Sequence, residues 1–240
     1  MALILSIETA TEVCSVALSR DNKLLGIRES SARNVHSAML TTFIDEIIKS
    51  SGVSLAMLDA IAVSMGPGSY TGLRIGVATA KGLCYALDKP LIAIPTLQAM
   101  AVGMTPPPHP SPSRGGAGGG VTLFCPMIDA RRMEVYCAVY DNENQEIREV
   151  RAEIIDEFSF QEYLADNVVV FGGVGAAKCK PLLESHPNAS FIDDFQASAL
   201  FMIGLATEKF SQNLFEDLAY FEPFYLKDFV AGKPRVKGLH

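Results

Sequence analysis

The sequence predicts an α/β fold built from two similar halves. Short apolar runs, which predict strands, alternate along the chain with amphipathic stretches that predict crossover helices. An opening pattern of apolar run, acidic residue, short turn and second apolar run occurs at the start of the chain and recurs after residue 120. Between the two occurrences, residues 105–120 are rich in proline and glycine, which predicts a flexible surface loop and a domain boundary.

The first half is predicted to contain five strands and three helices. The predicted strands are residues 3–7, 13–18, 23–29, 60–65 and 90–94. The predicted helices are residues 35–50, a segment that runs from the glycine loop at residues 66–76 to residue 87, and residues 96–104. Asn34 and Thr96 are the expected N-caps of the first and third helices, and Gly52 is expected to end the first.

The second half repeats the hairpin that opens the first. Its predicted elements are strands at residues 121–128, 135–140, 167–171 and 190–192, helices at residues 158–165 and 197–210, and a turn at residues 172–175. The acidic residue and the following Asp-Asn pair are 13 residues apart from Glu8 to Asp21, and 12 residues apart from Asp129 to Asp141. This similarity favours an internal duplication, but two unrelated β-hairpins can share such spacing.

Composition excludes several functional classes. The chain has 240 residues, 49% of them apolar, which suffices for one large or two modest domains. Its net charge of −7 does not attract polyanions, so a dedicated nucleic-acid-binding protein is not expected. The longest apolar runs fall far short of the roughly 20 residues that span a bilayer. Because Glu8 also comes too early for a secretory signal, we expect a soluble, cytoplasmic protein without membrane association.

The spacing of titratable side chains predicts no catalytic residue and no metal site. The four histidines lack metal-ligand spacing, and the cysteines contain no C-x-x-C pair. Four of the five cysteines lie in apolar stretches, where a small buried side chain is the expected role. These four are Cys14, Cys84, Cys125 and Cys137, and the fifth is Cys179.

The glycine loop at residues 66–76 is the most informative stretch. It lacks the lysine of a P-loop and does not match G-x-G-x-x-G. A strand that leads through glycines into a helix exposes backbone N–H groups, and under this interpretation the phosphate-facing residues are Gly66, Gly68, Ser69 and Thr71. The alternative interpretation is a tight turn that docks the helix on the sheet.

A stripe of small residues, formed by Gly72, Gly76 and Ala80, follows in the predicted helix. Its members recur every four residues, and another helix can approach such a stripe closely, either within the chain or from a partner. The second amphipathic helix of the same half, residues 35–50, favours a partner. The predicted partner-interface residues are His36, Met39, Phe43, Ile47, Gly72, Arg74, Gly76 and Ala80.

Three strings of residues carry a resemblance to a known family. They are Ile4-Leu-Ser-Ile-Glu-Thr-Ala-Thr-Glu12, Gly66-Pro-Gly-Ser-Tyr-Thr-Gly-Leu-Arg-Ile-Gly76 and Ile128-Asp-Ala-Arg131. In these strings the chain resembles the TsaB family, also called YeaZ. The resemblance is strongest over residues 1–100, and residues 105–120 have no counterpart in the usual family pattern.

The resemblance implies a duplicated two-domain fold of the actin, hexokinase and Hsp70 type, also termed ASKHA or ribonuclease H-like. We expect the domains at residues 1–104, completed by 218–240, and at residues 121–217. The implied function is that of a non-catalytic subunit of the bacterial complex that adds threonylcarbamoyl to N6 of adenosine 37 in tRNAs reading codons that begin with A. The implied partners are the catalytic paralogue TsaD, the ATPase TsaE and, for the isolated chain, a second copy. We expect tRNA to be contacted mostly through these partners.

The resemblance also implies that an ancestral active site has been lost. In TsaD the strand equivalent to residues 90–94 is followed by Asn-His-x-x-x-His, whose imidazoles bind a metal. Thr96 and Met100 stand at those positions here, and a hydroxyl and a thioether cannot replace two imidazoles. Glu8 replaces the commoner Asp, and the turn after it lacks the glycine that lets a backbone wrap a phosphate.

These substitutions predict a pseudoenzyme that holds no metal. No cofactor is expected other than a weakly bound nucleotide at the partner interface. The alternative is a nucleotide-dependent transferase or a peptidase that acts by itself, as older names in this superfamily suggest.

Overall fold

The computed structural model describes residues 2–32, 36–105 and 120–227, with only the backbone of His36 and Ser37. The predicted cap Asn34, residues 106–119 of the proline- and glycine-rich loop and the C-terminal residues 228–240 lie outside these ranges. Within the described part, the chain forms two five-stranded sheets with helices against both faces of each. No helix of this part has the length and apolar character needed to cross a membrane.

The first sheet contains the predicted strands of the first half. They are β1 (Leu3–Glu8), β2 (Cys14–Arg20), β3 (Lys23–Ser30), β4 (Ala60–Gly66) and β5 (Leu91–Pro95), in the order β3-β2-β1-β4-β5. The first three strands pair antiparallel, and β4 and β5 extend the sheet in parallel with β1. The helices of this half are α1 (His36–Ser50), α2 (Tyr70–Leu87) and α3 (Thr96–Met104), with a 3₁₀ turn at Leu55–Met57.

The second sheet repeats this topology. Its strands are β6 (Thr122–Asp129), β7 (Glu134–Tyr140), β8 (Glu146–Ile154), β9 (Val168–Gly172) and β10 (Ala189–Ile192), in the order β8-β7-β6-β9-β10. As in the first sheet, the first three strands pair antiparallel, and the last two extend the sheet in parallel with β6. The repeated order confirms the duplicated α/β fold, which hairpin spacing alone left open. The helices of this half are α4 (Gln161–Leu164), α5 (Val174–Leu183) and α6 (Ile203–Ser211).

The second half departs from the sequence prediction in its helices. The turn predicted at residues 172–175 is wrong, because Gly173 leaves β9 with a φ of 105° and α5 begins at the next residue. The helix predicted at residues 158–165 is confined to α4, since Phe160 takes a left-handed φ of 64°. The helix predicted at residues 197–210 starts as a 3₁₀ turn, Ala199–Met202, and becomes α-helical only from Ile203.

Each sheet packs against a helical segment from the other half of the chain. α1 and α2 cover one face of the first sheet, whereas its other face packs against Met202, Ile203 and Ala206 from beyond the proline- and glycine-rich loop. In the opposite direction, α3 packs Leu97 and Met100 against β6 and β7 of the second sheet. The domain boundaries at residues 104, 121 and 217 stay a prediction, but each sheet depends on a helix from the other side of the loop.

The C-terminal strap, residues 214–227, ties the two halves together along the surface. It begins at the edge of the first sheet, where the Glu216 N–H donates to the Leu91 carbonyl (2.9 Å). The Lys81 ammonium donates to the Phe221 carbonyl (3.0 Å), and the Phe224 N–H donates to Met65 (2.7 Å). The strap then reaches the second half, where Lys227 forms an ion pair with Glu134.

The crossed helices predict that the two halves unfold together. Met202→Ala and Leu97→Ala each remove a buried side chain that packs against the sheet of the other half, so each should destabilise the whole chain by about 2 to 5 kcal/mol. Urea unfolding followed by circular dichroism in the far and near ultraviolet should give one shifted transition. The exposed Leu200→Ala change serves as the control. Two separate transitions would contradict the coupling.

Candidate functional site

The glycine loop and the start of α2 are packed against the turn that follows β1. A Cβ at Gly68 would stand 2.3 Å from the Ala10 carbonyl oxygen, and a Cβ at Gly72 would stand 2.1 Å from that of Thr9. A Cβ at Gly76 would stand 2.1 Å from Thr9 Oγ1. Real Cβ atoms do not approach so closely, so these three positions require glycine. The stripe of small residues therefore faces the chain's own hairpin.

Hydrogen bonds fix this contact. Thr9 Oγ1 donates to the Gly72 carbonyl (2.9 Å), and the Ser69 N–H donates to the Ala10 carbonyl (2.7 Å). The Gly72 N–H donates to Ser69 Oγ (3.3 Å), which caps the helix. The Gly66 N–H donates to Thr96 Oγ1 (3.1 Å). Because these N–H groups are already engaged, the geometry favours the tight turn over a phosphate cradle, and Thr71 lies exposed outside the contact.

The predicted partner-interface residues divide into buried and exposed sets. Gly72 and Gly76 lie under Thr9, and Ala80 packs in the core of the first half, so their prediction as partner contacts is wrong. The same holds for Phe43 and Ile47, which α1 buries in that core, while Met39 is half-buried against it. Arg74 is exposed, and the side chain of His36 lies outside the described part.

A second stripe of small residues lies on the exposed face of α2. Ala78, Gly82 and Ala86 recur every four residues, all three are exposed, and nothing lies within 4 Å of a Cβ built at Gly82. The neighbouring Tyr85 is 84% exposed, although it is large and apolar. This face has the properties that sequence reasoning assigned to Gly72, Gly76 and Ala80. The spacing of four was the available signal, but it occurs twice in the helix.

An aromatic and cationic cluster borders this outer stripe. The Tyr70 ring packs against Tyr225 of the strap with 4.9 Å between ring centroids. The Arg74 guanidinium lies 5.4 Å from the centre of the Tyr70 ring and donates to its hydroxyl (3.1 Å). Next to the cluster is a shallow depression of about 360 Å³, lined by Tyr70, Thr71, Arg74, Ile75 and Ala78. The outer stripe, this cluster and the depression form one continuous surface, termed the outer α2 surface.

The two positions at which the resemblance implies lost metal ligands, Thr96 and Met100, are used for packing. Thr96 is fully buried, and its hydroxyl holds the first residue of the glycine loop. Met100 is buried between α3 and the second sheet, with its Cε 2.8 Å from the place where a Cβ at Gly173 would stand. No group of three or more His, Cys, Asp or Glu side chains in the described ranges has the arrangement of a metal site.

Glu8 is sealed inside the first half. Its side chain is almost fully buried, and burial raises its pKa to about 7, against the opposing effect of hydrogen bonds from the Ala10 N–H, Ser64 and the Thr9 N–H. Those bonds hold the turn after β1 in the shape that meets α2. Its burial and these contacts give Glu8 a structural role.

The cysteines are buried as predicted, and Cys179 shares this environment. Burial raises the thiol pKa of Cys14 to about 11, of Cys84 to about 12 and of Cys179 to about 11. Thiols with these pKa values carry almost no thiolate at neutral pH, and thiolate is the nucleophilic form. These cysteines therefore pack as small apolar side chains.

A wide cleft of about 710 Å³ opens between the end of β3 and the segment before α6. Its charged wall is Glu29, whose carboxylate accepts hydrogen bonds from the Ser15 and Ser198 hydroxyls. Leu200 and Phe201 form its apolar wall. Two buried hydroxyls hold this carboxylate in place. Its negative charge would repel the phosphates of a polyphosphate in the cleft.

The two glycine stripes of α2 predict opposite effects of the same substitution. Gly76→Ala should destabilise the chain by about 1 to 3 kcal/mol, because the added methyl group displaces Thr9. Gly82→Ala should stabilise it by about 0.5 to 1 kcal/mol, because the site is open and alanine favours helix. Urea midpoints of the two purified variants test the orientation of α2, and equal shifts would refute it.

The buried carboxyl of Glu8 predicts a pH-dependent stability difference between the wild type and Glu8→Gln. The folded-state pKa of about 7 lies above the usual 4.5, so the contribution of Glu8 to stability is complete below pH 4.5 and is lost as the pH rises through 7. The variant lacks this dependence. Its free energy of unfolding relative to the wild type should therefore rise by about 3 kcal/mol between pH 4.5 and 8. A constant difference would show that Glu8 is not buried as described.

Comparison with known proteins extends the resemblance to the whole chain. The family model of TsaD, tRNA N6-adenosine threonylcarbamoyltransferase, matches residues 12–231. The chain is 32% identical over 239 residues to the tRNA threonylcarbamoyladenosine biosynthesis protein TsaB of Escherichia coli strain K12, covering 96% of both chains. It is 31% identical over 245 residues to the protein of that name from Haemophilus influenzae, covering 96% of this chain and 95% of the relative.

A solved structure matches the fold over a similar extent. The structure of YeaZ from Pseudomonas aeruginosa superimposes with a TM-score of 0.78 at 24% identity, covering 94% of this chain and all of the other. At that identity the likeness supports the fold alone. The sequence identity to the two TsaB proteins reaches beyond the glycine loop and across both halves, and on this ground the chain belongs to the TsaB family.

Proposed function

We propose that the chain is the non-catalytic subunit of the bacterial complex that adds threonylcarbamoyl to N6 of adenosine 37 in tRNAs reading codons that begin with A. The observation that carries this proposal is the 32% identity, over 96% of both chains, to a protein named for threonylcarbamoyladenosine biosynthesis. In this role the chain binds and supports the catalytic paralogue TsaD. The ATPase TsaE completes the complex.

Three features of the first half support the non-catalytic part of the proposal. The Thr96 hydroxyl is bonded to a backbone N–H, and the Met100 thioether is packed in the core, so neither is available to a metal ion. Glu8 is buried away from solvent, which removes it from contact with a substrate. The N–H groups of Gly66 and Ser69 in the glycine loop are bonded within the chain.

The same features weigh against a transferase or peptidase that acts by itself. Such an enzyme needs an accessible acid or nucleophile, and the cleft beside Glu29 is negatively charged where a nucleotide would bring phosphates. Burial raises the pKa of Cys14, Cys84 and Cys179, so these thiols are poor nucleophiles. No feature of the described part favours this alternative, and no cofactor is proposed for the isolated chain.

The outer α2 surface is the proposed contact with TsaD. Small residues at Ala78, Gly82 and Ala86 allow a partner helix to approach α2 closely, and Tyr85 supplies exposed apolar area. α1 contributes little beside it, because its apolar face lies in the core and, apart from Ala38, its described exposed side chains are polar, among them Asp45, Glu46 and Lys49. In the isolated chain, the same surface is proposed to pair with a second copy.

The partner contact is tested by matched glycine-to-arginine variants on two exposed helix positions. Gly82→Arg should reduce copurification of coexpressed TsaD at least tenfold, because the arginine keeps a partner helix away from α2. Gly204→Arg, on α6, has a similarly open site and should copurify like the wild type. Both variants should fold, since arginine favours helix over glycine. Equal yields from Gly82→Arg and Gly204→Arg would refute the surface.

The function itself is tested by reconstitution. TsaD and TsaE should modify a tRNA transcript in the presence of this chain and at a greatly reduced rate without it. The isolated chain should give no modification. Failure of the wild-type chain to copurify with TsaD, or modification that does not depend on the chain, would overturn the proposal.

A further inference from the structure

The tip of the β6–β7 hairpin carries two adjacent arginines in a disfavoured backbone conformation. Arg131 has a φ of 71° and Arg132 a φ of 53°, and both are exposed. Residues with a Cβ rarely adopt this left-handed region of backbone conformation, where glycine, asparagine and aspartate are the favoured residues. Local folding therefore favours other residues at this tip, and the presence of two arginines needs a reason outside the turn.

Hydrogen bonds hold the tip in one shape. The Arg131 N–H donates to Asp129 Oδ1 (2.8 Å), and the Ala130 N–H donates to the Glu134 carbonyl (3.1 Å). The Glu134 N–H in turn donates to the Arg131 carbonyl (3.2 Å). The two guanidinium groups therefore project from a backbone of fixed geometry.

The nearby carboxylates are neutralised by other cations. Asp129 forms an ion pair with Lys178 of α5, and Glu134 forms one with Lys227 of the strap. Throughout the described ranges, no acidic side chain forms an ion pair with Arg131 or Arg132. Four cations against two carboxylates leave two positive charges at the tip of a chain whose net charge is −7.

We propose that the arginine tip, formed by Arg131 and Arg132, binds the phosphodiester backbone of RNA. Guanidinium groups bind phosphate oxygens in pairs of parallel hydrogen bonds, and an exposed hairpin tip offers no walls that would select a base. The contact is therefore a positioning contact without sequence preference. This inference rests on the proposed function, which makes tRNA the RNA in question. It assigns direct RNA contact to a chain whose overall charge argues against such contact.

The test removes the two positive charges and places residues that tolerate a positive φ at both positions. Arg131→Asn combined with Arg132→Asn leaves residues that tolerate a positive φ, so the variant should unfold at the same or a higher urea concentration than the wild type. Binding of a fluorescent tRNA transcript to the chain in complex with TsaD is measured at several salt concentrations. The slope of log affinity against log salt should become shallower by about 1 to 2, as expected for the loss of two phosphate contacts.

Two controls make the result specific. Lys49→Asn combined with Arg151→Asn removes the same net charge at sites that are paired with Asp45 and Glu149, and it should leave the slope unchanged. Arg131→Lys combined with Arg132→Lys keeps the charges and should keep the slope. The lysine pair also tests the proposal if the asparagine variant fails to fold, because weaker binding with an unchanged slope is then expected.

The outcomes separate this inference from the proposed function. Normal copurification with TsaD together with a wild-type slope in the asparagine variant overturns the RNA contact alone. Failure of the wild-type chain to join TsaD overturns the proposed function. Displacement of the transcript by polyglutamate as effectively as by unlabelled RNA would assign the tip to an acidic protein surface and would overturn the inference.

Discussion

The close approach of the turn after β1 to the first two turns of α2 determines much of the rest of the structure. Backbone and side-chain oxygens of Thr9 and Ala10 occupy the space that side chains at Gly68, Gly72 and Gly76 would need. This contact sets the rotation of α2 about its axis, because only its glycine-bearing side can meet the hairpin. The opposite side of the helix, with Gly82, is thereby turned towards solvent. A buried contact thus selects the surface that α2 offers to other molecules.

The same contact gives polar residues around the glycine loop a structural role. Glu8 shapes the turn that meets α2, and Thr96 holds the start of the glycine loop, so both stabilise this arrangement. Met100 fills the space beside Gly173 in the second half. Under the proposed function, positions at which the resemblance would place metal-binding groups hold the chain together instead.

Sequence reasoning predicted most elements of the first half, because these depend on local apolar patterns, whereas the duplicated fold was predicted from the family resemblance. It did not find β8, where charged residues outnumber apolar ones along an edge strand, or α5, which follows directly on a glycine pair. It chose the wrong stripe of α2 because the spacing of four fits both Gly72–Gly76–Ala80 and Ala78–Gly82–Ala86. Only the position of Thr9, which lies 63 residues from Gly72 in the chain, distinguishes them. Long-range contacts of this kind leave no periodic signal.

Net charge is likewise an incomplete guide to nucleic-acid contact, because it ignores where the charges lie. A total of −7 describes the field far from the molecule, but salt screens charges over about 8 Å under physiological conditions. At the end of the β6–β7 hairpin, a ligand therefore experiences chiefly the local charges, in which Lys178 and Lys227 neutralise the carboxylates and the two arginines remain. The backbone conformation of Arg131 and Arg132 adds information that composition lacks, since side-chain charge at a left-handed position is retained against the preference of the turn. An acidic subunit can in this way repel nucleic acid over most of its surface and still orient it at one end.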